Sequence, residues 1–412
     1  MKKFSCIIAV FVFLITSAVF ASAGPTPQLD GFVNEGLKQI RAPLQTSDET
    51  GSPGITSYDD NKTAVRAVER NVSLFTTTIR DRFSMWLSRS GAYLDIMTRI
   101  LKEKDVPEDI VFLSLIESGF NPYAYSMAHA AGPWQFIAST ARRYGLKINW
   151  WRDERRDPVK STEAAADYLK DLYSMFGSWN LALAAYNAGE GKILKAMKRG
   201  RVDDYWDLRE TRHIRRETKN YVPKFIAARI IASNPEDFGF QNVDYKEPLR
   251  YDKVKLDSPV DLSVAAECAG TTLEEIRRLN PELRRWCTPP DVQEYTLRIP
   301  AGTKEHFLEK LSSLPDKDRF TMERYKVRRG DTLWRISRRI GVPMRIILSL
   351  NSMKKIMTLK QGSTLYLPPR GFSANDAEDR GMIRKVSYRK AAYRVKKKRS
   401  LKRRRRHHGR RT

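Results

Sequence analysis

Ile110-Val111-Phe112-Leu113-Ser114-Leu115-Ile116-Glu117-Ser118-Gly119 places a single carboxylate at the end of one of the most apolar runs of the chain. After Glu117 the next carboxylate in sequence is Asp153. Apolar neighbours disfavour the charged form, so this carboxyl is expected to keep its proton toward neutral pH. A protonated carboxyl in a cleft can act as a general acid, and an enzyme is the first reading. The run is also punctuated as a helix. Pro107 suits a first turn, Glu108 and Asp109 complement the N-terminal dipole, and Gly119 follows the end.

Outward from this run the pattern stays helical. Val65, Val68, Val72, Phe75 and Ile79 recur at helical spacing, followed by Phe83, Trp86, Leu87, Tyr93, Ile96, Met97 and Ile100. Further helical patterns cover 139–144, 161–175, 179–187, 191–197 and 219–233. Strand signals are nearly absent, which predicts an all-α domain over 62–240. Beyond Asn234 the style changes. Ala269-Gly270, Leu273, Ile276 and Leu279-Asn280 match Ile340-Gly341, Met344, Ile347 and Leu350-Asn351 at a constant offset, and each copy closes on an apolar-Pro strand. Two copies are too few for a solenoid, so two small modules are expected, at 251–302 and 323–370. The fold class is therefore multidomain α+β.

The ends of the chain read differently. Lys2 and Lys3, the apolar run 7–15 and Ala21-Ser22-Ala23 have the order of a secretory signal peptide over 1–23. An uncleaved N-terminal anchor is the alternative. Residues 24–61, with Pro25, Pro27, Pro43, Pro53 and Gly54, read as a mobile leader. Export leaves Cys268 and Cys287. An even pair in an oxidising compartment is a disulfide candidate, with two free buried cysteines as the other reading. No other stretch approaches 18 apolar residues, so a soluble or peripheral protein is expected. The formal net charge of +27 is largely a tail property, because 16 lysines and arginines lie from Arg384 onward with no acid after Asp379. The segment 371–412 reads as a disordered polybasic tail.

Four separated motifs in the helical region belong together: Glu117-Ser118, Gly132-Pro133-Trp134-Gln135-Phe136, Ala185-Tyr186-Asn187-Ala188-Gly189 and Asn220-Tyr221-Val222-Pro223. Their order and spacing resemble the lytic transglycosylases with a goose-type lysozyme fold. The resemblance implies that Glu117 is the catalytic acid, with Ser118 shaping the site beside it. It further implies that Gly132, Gln135 and Phe136 belong to the turn lining the sugar cleft, and that Tyr186 and Asn187 contact the sugar. Tyr221 matches a tyrosine whose hydroxyl points at the acid. Pro133-Trp134 departs from the commoner Leu-Met, a change that falls on one subsite wall. In that family one carboxyl serves as acid and then base, so a second acid is not needed, unlike the two-carboxylate glycosidases. Asp153, Glu163 and Glu190 sit in polar surroundings and are read as caps or solvated charges. Trp134, Trp150, Trp151 and Trp179 are read as structural before sugar-stacking.

The second repeat opens on Tyr325-Lys326-Val327-Arg328-Arg329-Gly330-Asp331-Thr332-Leu333-Trp334 and resembles the LysM module, which binds glycans containing N-acetylglucosamine. Gly330, Asp331, Thr332 and Leu333 are its candidate binding residues, with Asp331 also a candidate N-cap. The first copy lacks the Gly-Asp-Thr-Leu turn and is read as keeping only the helical half and the closing strand. The five histidines show no metal-ligand spacing, so neither a metal nor a cofactor is expected. The expected partner is the glycan strand of peptidoglycan, in the periplasm or cell envelope. For the tail, anionic lipid headgroups, envelope phosphates or acidic wall polymers stand beside no specific partner, and nucleic acid is not expected after export. A water-using hydrolase on the same fold and a non-catalytic wall-binding scaffold are the rival functions.

Overall fold

The computed structural model describes residues 62–369, which divide into two compact units. The expected signal peptide, leader and polybasic tail lie outside the described residues. Among the described residues, no helix is long and apolar enough to cross a membrane.

The first unit is helical. Helix α1 (Lys62–Ser73) buries Ala64, Ala67, Val68 and Val72 on one stripe and runs into a π turn, Leu74–Thr78. Helices α2 (Arg80–Ser90) and α3 (Leu94–Glu103) follow. The decisive run begins as a 3₁₀ turn, Glu108–Val111, with Pro107 at the N-cap and not inside the first turn as the punctuation predicts. Only then does α4 (Phe112–Ser118) form. Five of its seven residues, Phe112 to Ile116, are buried, so it is a core helix with its one acid at the C-terminal end. Gly119 stops it in the left-handed conformation (φ 60°), its N–H returning to the Leu115 carbonyl. A Cβ at Gly119 would also lie 2.1 Å from Cδ1 of Trp86, so both backbone and space demand glycine.

Short α5 (Ala138–Arg143) precedes the long α6 (Pro158–Phe176), which Asp157 caps by accepting from the N–H groups of Val159 and Lys160, with Pro158 at its first position. Then come α7 (Trp179–Ala188), α8 (Glu190–Gly200), the unforeseen α9 (Tyr205–Glu210) and α10 (Arg216–Ser233). Helix α10 carries Pro223 in its interior, which deprives the Lys219 carbonyl of its usual N–H partner. That carbonyl accepts from the Tyr205 hydroxyl at 3.0 Å and from Nε of Arg209 at 3.1 Å, so α9 exists partly to repair α10. On its other side α10 is pinned to α1 by a reciprocal amide pair, Asn71 with Asn220.

The second unit comprises Asn149–Arg152 and the residues from Tyr251 onward. It holds two strand–helix–helix–strand modules. In the first, β1 (Tyr251–Leu256) pairs antiparallel with β2 (Tyr295–Pro300) around α11 (Leu262–Cys268) and α12 (Leu273–Leu279). Helices α13 (Lys304–Ser313) and α14 (Asp316–Arg319) connect it to the second. There β3 (Glu323–Lys326) pairs with β4 (Thr364–Leu367) around α15 (Leu333–Ile340) and α16 (Met344–Leu350). The first copy is thus not missing its opening strand. Val254 and Leu256 alternate with exposed Lys253 and Lys255, the period-2 signature of a half-buried strand.

The repeated Asn-terminated helix has a structural cause. Asn280 donates to the carbonyls of Ile276 and Arg298 and accepts from the Arg298 N–H. Asn351 does the same with Ile347 and Tyr366. In each copy one amide side chain ends the second helix and clamps it to the closing strand.

Of the two readings of the cysteines, the structure has the second: Cys268 and Cys287 are both free and buried. Cys268 packs in the core of the first module with Leu297 and Phe307, whereas Cys287 packs with Trp150, Trp151 and the apolar residues of the second. Two separate cores keep them unbonded. Trp150 and Trp151, each 1% exposed, form an edge-to-face nest with Trp286. Trp134 and Trp179 are likewise buried, which makes all four structural.

Candidate active site

The site of the helical unit is assembled from four elements around the end of α4. Glu117 accepts a short hydrogen bond from the Tyr221 hydroxyl, which α10 delivers from far along the chain. Burial drives the Glu117 carboxyl above the ordinary glutamate value of 4.5, and the Tyr221 hydrogen bond, the Lys224 charge and, in the opposite sense, the Glu217 charge act on it more weakly. The same desolvation, with the Glu117 charge, holds the Tyr221 and Tyr186 phenols well above their usual range. Both tyrosines are therefore neutral donors at any working pH.

Ser118 organises the neighbouring turn. Its hydroxyl donates to the Pro133 carbonyl at 2.8 Å and accepts from the Asn121 N–H, while Ser114 reaches the same Pro133 carbonyl at 3.1 Å. The Trp134 carbonyl accepts from the Tyr186 hydroxyl at 2.6 Å, and the Trp134 indole N–H donates to Thr162. So the Pro133-Trp134 departure is held at three points, with the indole turned into the core. Gln135 sits at φ 49°, uncommon for any residue with a side chain, and its amide donates to the Gly132 carbonyl at 2.9 Å. Gly132 is at φ 81°, and a Cβ there would lie 1.7 Å from the Arg155 carbonyl oxygen. Asn187 is buried and accepts from the Thr218 hydroxyl at 3.1 Å. Phe136 is 2% exposed and packs its ring on Tyr168 and Tyr186, so it supports the wall from behind and does not line the cleft.

The turn rests on an ion pair that polar-looking sequence disguises. Arg155 and Asp153 are bidentate at 2.9 and 2.7 Å, with both side chains 0% exposed. Arg155 also donates to the carbonyls of His129 and Phe136, one at each side of the turn. Asp153 is thus neither solvated nor a mere cap.

Two residues of the site were not singled out from sequence. Glu217 acts electrostatically on Glu117, and Lys224 does so while donating to the Ile116 carbonyl at 3.3 Å. A signal existed: Glu217, Tyr221 and Lys224 are spaced i, i+4, i+7 on α10, one face of a helix. Glu217 is thus a second carboxylate that acts on Glu117, the weakest of the four influences on it.

In the second module Thr332, not Asp331, caps α15 by accepting from the Arg335 N–H. Asp331 accepts from the Tyr325 hydroxyl at 2.6 Å and the Arg328 N–H, contacts that hold its carboxyl below the usual aspartate range. Leu333 is buried in the module core, while Gly330 and Thr332 are exposed. Among the described residues, no group of three or more His, Cys, Asp and Glu is gathered that could hold a metal ion.

The raised Glu117 pKa has a consequence for stability. Above 4.5 and below its elevated folded value, the folded chain binds more protons than the unfolded chain, so stability falls as pH rises through that window. Glutamine does not titrate. Glu117→Gln is therefore expected to melt higher than the parent at pH 8, with the gain vanishing near pH 4; a thermal melt at both pH values checks it. A lower melting temperature at pH 8 would contradict the desolvation.

A helical lysozyme-like unit with this acid-bearing helix, followed by βααβ modules, defines a class, and family models match it. Residues 96–208 match the transglycosylase SLT domain. Residues 250–316 match the LysM-like domain of lytic transglycosylase MltD and 325–368 the LysM domain. The chain is 34% identical over 294 residues to membrane-bound lytic murein transglycosylase D of Escherichia coli K12, covering 68% of this chain and 64% of that protein. The chain thus spans under two thirds of that relative's length. It is 25% identical over 166 residues to membrane-bound lytic murein transglycosylase C of Haemophilus ducreyi, 34% of this chain and 45% of the relative. Among solved structures, the 70 kDa soluble lytic transglycosylase of E. coli aligns at 21% identity over 45% of this chain and 32% of that one, with a TM-score of 0.32, too slight a likeness to build on.

Proposed function

We propose that this chain is an exported lytic transglycosylase that cleaves the glycan strands of peptidoglycan. The observation that carries the reading is the Tyr221–Glu117 pair at the end of a buried apolar helix. Glu117 begins protonated and gives its proton to the oxygen joining N-acetylmuramic acid to N-acetylglucosamine. The bond from muramoyl C1 to that oxygen breaks, and positive charge develops at C1. The new carboxylate, held by the neutral Tyr221 hydroxyl and the Lys224 charge, takes the proton of the muramoyl C6 hydroxyl, whose oxygen closes on C1. Glu117 ends protonated and the product is a 1,6-anhydro sugar. Ser118, Gly132, Gln135, Tyr186 and Asn187 bind and orient the sugar, with Phe136 behind them.

The modules at 251–302 and 323–370 hold the helical domain at 62–240 on an insoluble substrate, raising its local concentration. Gly330 and Thr332 border the groove that takes N-acetylglucosamine, and Asp331 and Leu333 fix its shape. The protein acts in the periplasm, peripheral on wall or membrane, and its basic tail at 371–412 adds contact with anionic envelope lipids or polymers.

Glu217 favours one rival, a hydrolase in which this second carboxylate activates water. Mass spectrometry of digested peptidoglycan separates the two: anhydromuramoyl ends are expected, and reducing ends alone would establish the hydrolase. The pH profile tests the acid itself. The Tyr221 hydrogen bond stabilises the carboxylate, so Tyr221→Phe is expected to move the alkaline limb of kcat/KM to higher pH. An unmoved or lowered limb would mean that Tyr221 does not act on the titrating group.

A further inference from the structure

A cavity of about 200 Å³ opens beside the candidate site, bounded by α8, the segment before α10 and the first turn of α10. Lys192, Lys195, Arg199 and Arg215 line it together with His213, and the one acid in its wall is Glu217. Lys192, Lys195 and Arg199 are spaced i, i+3, i+7, so a single face of α8 presents all three. Among the described residues these four cations make no ion pair. Like charges gathered on one helix face repel one another, and an anion in the cavity would relieve that cost. Oε1 of Glu217 is buried with no hydrogen-bond partner, an acceptor waiting for a donor. The Thr218–Asn187 hydrogen bond joins this wall to the Tyr186-Asn187 wall of the cleft.

We infer that the cavity is a recognition site for the carboxylate-bearing peptide branch of the substrate strand. The cations take a free carboxylate of the peptide through charge-assisted hydrogen bonds, and Glu217 Oε1 accepts from one of its N–H groups. The inference rests on the proposed substrate and adds to it: muramoyl residues carry their peptide as a side branch, so a strand seated in the cleft would present that branch to this wall.

The test is a binding measurement on the full chain carrying Glu117→Gln, so that ligand is not turned over. The probes are a disaccharide-peptide fragment of peptidoglycan with free carboxylates and the same fragment with its carboxyls amidated. The parent is expected to bind the free form about tenfold more tightly, a preference that shrinks as salt is raised. Adding Lys195→Glu with Arg199→Glu is expected to abolish the preference while leaving affinity for the amidated form unchanged. Arg199→Gln, a milder change at an exposed position, is expected to reduce it. Equal affinity for both fragments in the parent, or a preference that survives charge reversal, would overturn the inference. The LysM modules see the same sugars in both probes and cancel in the comparison. Failure of the wild-type chain to cleave peptidoglycan would remove the enzymatic reading, while the fragment comparison would still return its own answer.

Discussion

Glu117→Gln is expected to lower turnover of purified peptidoglycan by about 10³-fold or more while leaving the chain folded and bound to the wall. One positioned acid or base contributes about 10²–10⁴-fold, and here a single group serves both steps. Glutamine keeps the volume and can still accept from the Tyr221 hydroxyl, but it can neither give a proton to the leaving oxygen nor take one from the C6 hydroxyl. The loss should therefore fall on kcat and leave sedimentation with insoluble peptidoglycan intact, because the glycan-binding modules are untouched. Turnover near the wild-type rate would remove Glu117 from its role. Loss of wall binding together with activity would instead point to a damaged fold.

The second large effect is on stability. Arg155→Met leaves Asp153 buried, charged and unpaired, and it strips a donor from the carbonyls of His129 and Phe136. Breaking one side of a buried pair costs about 3–5 kcal/mol. For a unit of this size that corresponds to a drop of about 10 °C in the melting of the helical unit. Because Arg155 holds both sides of the Gly132–Phe136 turn, activity should fall before global unfolding begins. The double variant Asp153→Leu with Arg155→Met removes the orphan charge and is expected to recover part of the stability but not the activity. A single variant that melts within 2 °C of the parent, a shift worth about 1 kcal/mol at most, would show that the pair is dispensable.

Much of the helical unit was legible because its signals are local. The apolar spacing of 161–175 and 219–233 and the Gly119 stop of α4 each speak for a few residues and need no partner. The motifs around Glu117, Gly132, Tyr186 and Tyr221 were legible as a set, and the structure brings them together. What stayed hidden depends on long-range packing. Asp153 reads as a cap or a solvated charge, yet Asp153 and Arg155 are fully buried because the 129–136 loop folds over them. Glu217 and Lys224 look like ordinary helix-surface charges until α10 is laid against α4. Phe136 sits within a cleft motif but faces the core, and Leu333 does the same in the second module. The spacing of Cys268 and Cys287 carried no information on which core each would enter.

The most direct test of Glu117 as both acid and base is digestion of purified peptidoglycan by the wild-type chain in water enriched in oxygen-18. Closure of the substrate's own C6 hydroxyl on C1 takes no oxygen from solvent, so the expected products carry anhydromuramoyl ends without the label. Oxygen-18 at C1 of the muramoyl ends would mean that water is the nucleophile, and would hand the base's role to a second group such as Glu217.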